Sequence, residues 1–195
     1  MNKILLDNRS IIDLNIIEDT ICNISNEYNI NELNINIKDD VKLIINHYKE
    51  IENNTLNINI KQENNSEFIY NHSFINSGNY DLNINIILEN NDCINTINIH
   101  GISDSGISNI IVDGKVYENT LNNELYENIK MLNINNGKSK IIPNMYINTK
   151  NVIANHAATI SDINSDYLFY MNQKGIKTSD AIKLIIDGFL ENDAK

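Results

Sequence analysis

Apolar and polar residues alternate with a period of two through most of this chain. From Asn31 onward, Leu33, Ile35 and Ile37 share one phase, and after Asp39 and Asp40 the pattern restarts with Val41, Leu43 and Ile45. Successive side chains of a strand point to opposite faces, so this phase predicts half-buried strands. Further bursts follow at residues 56–60, 67–70, 81–88, 93–99, 108–112 and 130–134. Between them stand Asn53 and Asn54, Asn64 and Asn65, and the polar runs 76–79 and 90–92, residue types that end strands. Gly101, Gly106, Gly114 and Gly137 also fall between bursts, where turns are expected.

Before residue 30 the pattern is mixed. Leu5, Leu6, Ile11, Ile12, Leu14, Ile16 and Ile17 suit either a short helix or a capping strand. Helical segments that would alternate with the strands of a doubly wound fold are absent, which excludes that class. Alternation with irregular spacing and no exact repeat fits an antiparallel sandwich or a parallel β-helix equally well.

The period changes near the end. Asn164 is placed to cap a helix over 165–174, with Asp166 in its positive first turn and Gly175 where a left-handed closing residue belongs. Thr178 then reads as the cap of a second helix, in which Ala181, Ile182, Ile185, Ile186 and Phe189 recur at spacings of three and four. Together they predict an αα-hairpin whose apolar stripe rests on the strand body or on a partner. The organisation expected is a lead-in over 1–30, a strand body over 31–160 and a helical hairpin over 161–195.

Composition narrows the function classes. The 195 residues are 42% hydrophobic, enough for one domain with a sizeable core. Twenty-six acidic residues against 15 basic ones give a net charge of -11, which argues against nucleic acid or an anionic membrane as partner. Cys22 and Cys93 lie far apart without metal-type spacing, and no leader or unbroken apolar span is visible. A soluble cytoplasmic protein with reduced thiols is the expectation. Asparagine, often alternating with isoleucine, is abundant enough to read as compositional bias, with little weight on any one residue.

No nucleophile elbow, phosphate-binding glycine loop or zinc spacing occurs, so no enzyme activity is expected. The segment Gly101 to Gly106 has glycines five apart but no following Gly-Lys-Ser. Asp39 and Asp40 fall in a predicted turn, where solvated charge is the ordinary reading. The helical hairpin is the more promising surface. Phe169, Tyr170 and Met171 are consecutive and cannot all face one side of a helix, so an aromatic beside Lys174 and Gly175 is expected to face a partner. Packing of both aromatics on the core is the alternative.

The stretch LFYMNQKGIKTSDAIKLIIDGFL, from Leu168 to Leu190, resembles the C-terminal signature of the SufB/SufD family. Its marks are an aromatic helix, a Lys-Gly corner, an acidic-Ala helix start and a final Gly-Phe. Upstream, IIPNMYINTKNVIANHAATI resembles the family's Pro-containing strand and its His-x-Ala-Thr segment, Gly114 and Lys115 resemble its Gly-Lys turn, and LYENIKMLNINNG resembles the strand before the last rungs. The resemblance is strong over 141–190, extends back to about Cys93, and fades before it.

That resemblance implies a right-handed parallel β-helix ending in a C-terminal helical hairpin. It also implies a scaffold subunit of SUF iron-sulfur cluster assembly, bound through its C-terminal region to a SufC-like ATPase and paired with a SufB-like subunit or with itself as a homodimer. The family's histidine falls on His156, whose imidazole is a candidate iron ligand, and Cys93 is a second candidate for contact with a cluster. The alternatives are a packed and paired His156 and a buried, inert Cys93. Where SufB has a glutamate after the histidine this chain has Ala157, and where SufD-like members often have a cysteine it has Ala154. No cysteine follows Cys93 and the chain is shorter than typical members, so a compact SufD-like partner is expected. No cluster is then held stably by this chain alone; one is shared transiently with a partner. Partner contact is assigned to Phe169, Tyr170, Lys174 and Gly175. The rival reading is a stand-alone β-helical binding or structural protein that has lost cluster work; a third, iron or sulfur catalysis, requires Cys93 and His156 to meet in space.

Overall fold

The computed structural model describes residues 1–4 and 9–191; the expectation placed on Leu5 and Leu6 lies outside them. Eleven strands are followed by two helices: β1 Asn2–Ile4, β2 Ile11–Ile16, β3 Thr20–Ile24, β4 Glu32–Ile37, β5 Lys42–Gln62, β6 Glu67–Leu88, β7 Ile94–Asp104, β8 Ile107–Val116, β9 Asn123–Ile134, β10 Lys138–Ile147, β11 Val152–Asp162, α1 Ser165–Gln173 and α2 Thr178–Glu191. Every strand pair is parallel. This excludes the antiparallel sandwich and makes the body a parallel β-helix.

The chain winds through two parallel ladders. One runs β1-β3-β5-β6-β7-β9-β11; the other joins β2, β4, the second halves of β5 and β6, β8 and β10. Residues 1–30, read as a lead-in, carry three strands of these same ladders. The breaks expected at Asn53-Asn54 and over 76–79 are not breaks. β5 and β6 run on as strands of 21 and 22 residues because the bend between the two ladders keeps its inter-rung pairing, with a register shift between Ile51 and Asn53.

Alternation along each strand sends one phase inward, where Leu33, Ile35, Ile37, Leu43, Ile45, Leu82, Ile84 and Ile86 form part of one buried core. Burying each such side chain is worth about 1.5–3 kcal/mol. At the centre, Phe68, Tyr70, His72 and Phe74 stack at successive inward positions of β6. The outward phase is mostly polar and is stitched from rung to rung. Asn46, Asn71, Asn98 and Asn128 each donate a side-chain N–H to the asparagine one rung back, at 3.0, 2.9, 2.9 and 3.1 Å, starting from Asn23.

One corner is also stacked. Asp40, Asn65, Asp92 and Asn122 all have left-handed backbones, with φ of 62, 53, 57 and 56°. Short polar side chains tolerate that conformation better than most. Asn65 donates to the Asp40 carboxylate at 2.7 Å and Asn122 to that of Asp92 at 2.9 Å.

The hairpin rests on the outer face of the first ladder. Ile185, Ile186, Phe189 and Leu190 of α2, like Ile75 of β6, pack against Ile102, Leu132 and Ile134. This explains an uninterrupted buried run from Ile99 to Ser103, because both faces of β7 are covered there. Asn164 caps α1 by accepting from the Asp166 amide at 2.8 Å, and Gly175 closes it with φ of 83°. Thr178 does not act as the cap of α2. Its hydroxyl donates to Asn172 Oδ1 at 3.2 Å, while the carbonyl of Lys177 receives the first amides, from Asp180 and Ala181.

Candidate functional site

The outer side of the hairpin is the most exposed apolar surface of the chain's end. α1 has no buried residue. It leans on α2, which in turn covers the ladder, so its aromatics have nothing beneath them. Tyr167, Phe169 and Tyr170 are 66, 65 and 60% exposed, and Leu184 of α2 is also exposed. Both Phe169 and Tyr170 therefore face outward rather than one packing on the core. Lys174 Nζ lies 5.5 Å from the centre of the Tyr170 ring, so a cation sits beside the aromatic patch. Gly175 sets the corner that turns α2 back. Tyrosine, phenylalanine and an adjacent cation are the side chains that dominate protein interfaces when desolvated.

His156 sits on β11, the terminal strand of its ladder. It is exposed and makes no hydrogen bond among the described residues, so the packed and paired alternative is not what the fold provides. Its register partner on β9 is Glu127, and Ala154 and Ala158 on either side pair with Leu125 and Ile129. With no further rung beyond β11, these inward-phase positions lie open.

Cys93 lies elsewhere. It is fully buried just before β7, and its thiol donates to the Glu63 carbonyl at 3.2 Å. Burial raises its pKa, which disfavours the thiolate that would bind metal. In the ladder Cys93 is two strands and about four residues from the level of His156, roughly 16 Å away. The two do not share a surface, which removes the geometry that iron or sulfur catalysis by this pair requires. Cys22 is buried as well, and its thiol is pushed up to about 11 by desolvation. Among the described residues, no group of three or more His, Cys, Asp and Glu is arranged to hold a metal ion.

Several groups escaped the sequence reading. Glu127 is 0% exposed with neither carboxyl oxygen hydrogen-bonded, and burial, helped by the charge of Asp113, raises its pKa to about 8. Its signal was available: Leu125, Glu127, Ile129 and Met131 share one phase, so an acid occupies an apolar position. Gly114 faces it, and a Cβ there would lie 2.4 Å from Leu125 and 3.0 Å from Glu127 Oε1. Gly114 and Lys115, expected in a turn, are inside β8, because this space inside the strand body admits no larger side chain.

His47 and His72 stack inside the core at 4.3 Å between ring centres. His47 Nδ1 is 2.8 Å from the Tyr70 hydroxyl, and His72 Nε2 is 3.0 Å from that of Tyr80. Desolvation keeps both imidazoles neutral: His47 falls well below its usual pKa and His72 falls to about 4.

A parallel β-solenoid that ends in a helical hairpin with unburied aromatics is the class of fold these elements define. The family model for the SufBD core domain of SUF-system FeS cluster assembly matches residues 4–189, and the chain belongs to that family. A 55-residue stretch is 38% identical to an iron-sulfur cluster assembly SufBD family protein, ycf24, of Galdieria sulphuraria. That stretch is 28% of this chain and 25% of the relative. Among the described residues no helix is long and apolar enough to cross a membrane.

Proposed function

We propose that this chain is a non-catalytic scaffold subunit of SUF-type iron-sulfur cluster assembly that binds a SufC-like ATPase through its C-terminal hairpin. The observation that carries this reading is the α1 surface: Tyr167, Phe169 and Tyr170 exposed together, held off the core by α2, with Lys174 beside them. A rigid solenoid transmits force without deforming, so nucleotide-driven movement in the ATPase would reorient the whole body through this contact. The cluster is cargo in this reading. Nothing in the chain's own thiols supports holding it alone, since Cys22 and Cys93 are both buried.

The second contact in this reading is the final rung. β10 and β11 end their ladders, and a parallel edge with unpaired backbone groups is a template for another strand. A SufB-like subunit or a second copy would place its own donors near the exposed His156, which is where transient contact with the shared cluster is assigned.

Co-expression with the SufC-like ATPase of the same genome, with the tag on the ATPase, tests the reading. Stoichiometric recovery of this chain supports it. A folded chain that is not retained, with or without a SufB-like subunit present, favours the stand-alone binding protein instead.

A further inference from the structure

Beside the hairpin, the outer face of the first ladder carries a small polar cleft of about 250 Å³ that reaches onto β11. Its floor is a grid set by parallel register. One column is Asn98, Asn128 and Ala157; the next is His100, Lys130 and Thr159. Members of a column are about 4.8 Å apart, and the columns are offset by about 6.6 Å, the two-residue step along a strand. Phe189 of α2 stands 5.4 Å from the His100 ring and shields that end.

Two features make this grid a binding surface rather than a continuation of the ladder. First, the asparagine column that runs from Asn23 ends here. Asn128 donates to Asn98 Oδ1 at 3.1 Å, but its own Oδ1 faces the level of Ala157, which has no donor. The methyl group leaves the cleft open where another amide would fill it. Second, none of the described residues that line the cleft is a carboxylate, although the chain carries a net charge of -11. Lys130 is flanked in register by an imidazole and a hydroxyl. The floor therefore offers an ammonium, a hydroxyl and amide N–H groups to an anion, and a lone acceptor to any O–H the anion carries.

We propose that this cleft binds a small protonated oxyanion of the phosphate class. Hydrogen phosphate meets both demands: its unprotonated oxygens accept from Lys130, Thr159 and the asparagine amides, while its O–H donates to Asn128 Oδ1. Sulfate has the same shape and lacks the proton at neutral pH. An acceptor facing an acceptor is a cost rather than a gain, so the cleft discriminates against it. Among the described residues the lining offers neither thiolate nor carboxylate, the donors that suit iron.

The test is titration of the isotope-labelled full chain with sodium phosphate, sodium sulfate and sodium acetate at constant ionic strength, followed by amide NMR. Phosphate is expected to give saturable shifts of the Asn98 and Asn128 side-chain amides and the Thr159 backbone amide. Lys130→Gln should weaken it at least tenfold. Ala157→Asn, which keeps Lys130 but supplies a donor to Asn128 and fills the cleft, should weaken it as much. Sulfate and acetate should bind several-fold more weakly. Shifts that do not saturate, an unchanged response in Lys130→Gln, or sulfate binding as tightly as phosphate would each overturn the proposal.

Discussion

Asn71 stands between two asparagines, donating to Asn46 Oδ1 at 2.9 Å and accepting from Asn98 at 2.9 Å. Each amide in such a column both gives and receives, so the ladder is satisfied only if every rung presents the same group. Asn71→Asp keeps the shape but removes the donor, and sets a carboxylate against Asn46 Oδ1. A loss on the order of 1–2 kcal/mol is expected in urea unfolding. Asn83→Asp removes the same donated bond, to Asn57, and has no amide on the next rung to stabilise the new carboxylate, since Ile111 follows it in register, so it should be at least as sensitive to the change.

The two interior histidines lower stability in acid. Both are neutral in the folded chain, with His72 at about 4 against 6.5 in an unfolded chain. Below the unfolded value the unfolded chain binds protons that the folded chain cannot, so stability falls as pH drops from 6.5 toward 4. His72→Phe should be less stable at neutral pH, since it leaves the Tyr80 hydroxyl without its partner, yet it should lose less on acidification. Urea midpoints at about pH 7.5 and about pH 4.5 for both proteins check this, with a shallower difference expected for the variant.

Glu127 acts in the opposite sense. The folded carboxyl keeps its proton up to about 8, while in the unfolded chain it releases it near 4.5. The folded chain therefore holds the extra proton across that window, and the group's contribution to stability declines as pH rises through it. Glu127→Gln fills the same space without the charge. It should be more stable than the parent at pH 8, by on the order of 1–3 kcal/mol, with the margin shrinking toward pH 5.

Much of this architecture was written in the alternation, but its direction was not. A strand of period two buries the same residues whether its neighbour runs parallel or antiparallel, so Leu33, Ile35 and Ile37 marked an inward face without choosing a sandwich or a β-helix. The repeat was hidden because the rung lengthens: steps along the asparagine column are 23, 25, 27 and 30 residues. For the same reason the asparagines read as bias, although their stacking shows them to be structural. The resemblance over 141–190 supplied what periodicity lacked. The cap at Asn164 and the corner at Gly175 were legible because their chemistry is local. Outward packing of both Phe169 and Tyr170 was not, since it depends on α2 alone covering the ladder.

The affinity of the purified chain for its genome's SufC-like ATPase, measured by calorimetry with the parent and with Phe169→Ala/Tyr170→Ala, tests the central claim most directly. Both rings are exposed, so the double variant should melt as the parent does. The account predicts a binding parent and at least a tenfold weaker variant, corresponding to about 1.4 kcal/mol or more. A parent that does not bind, or a variant that binds as tightly, would contradict it.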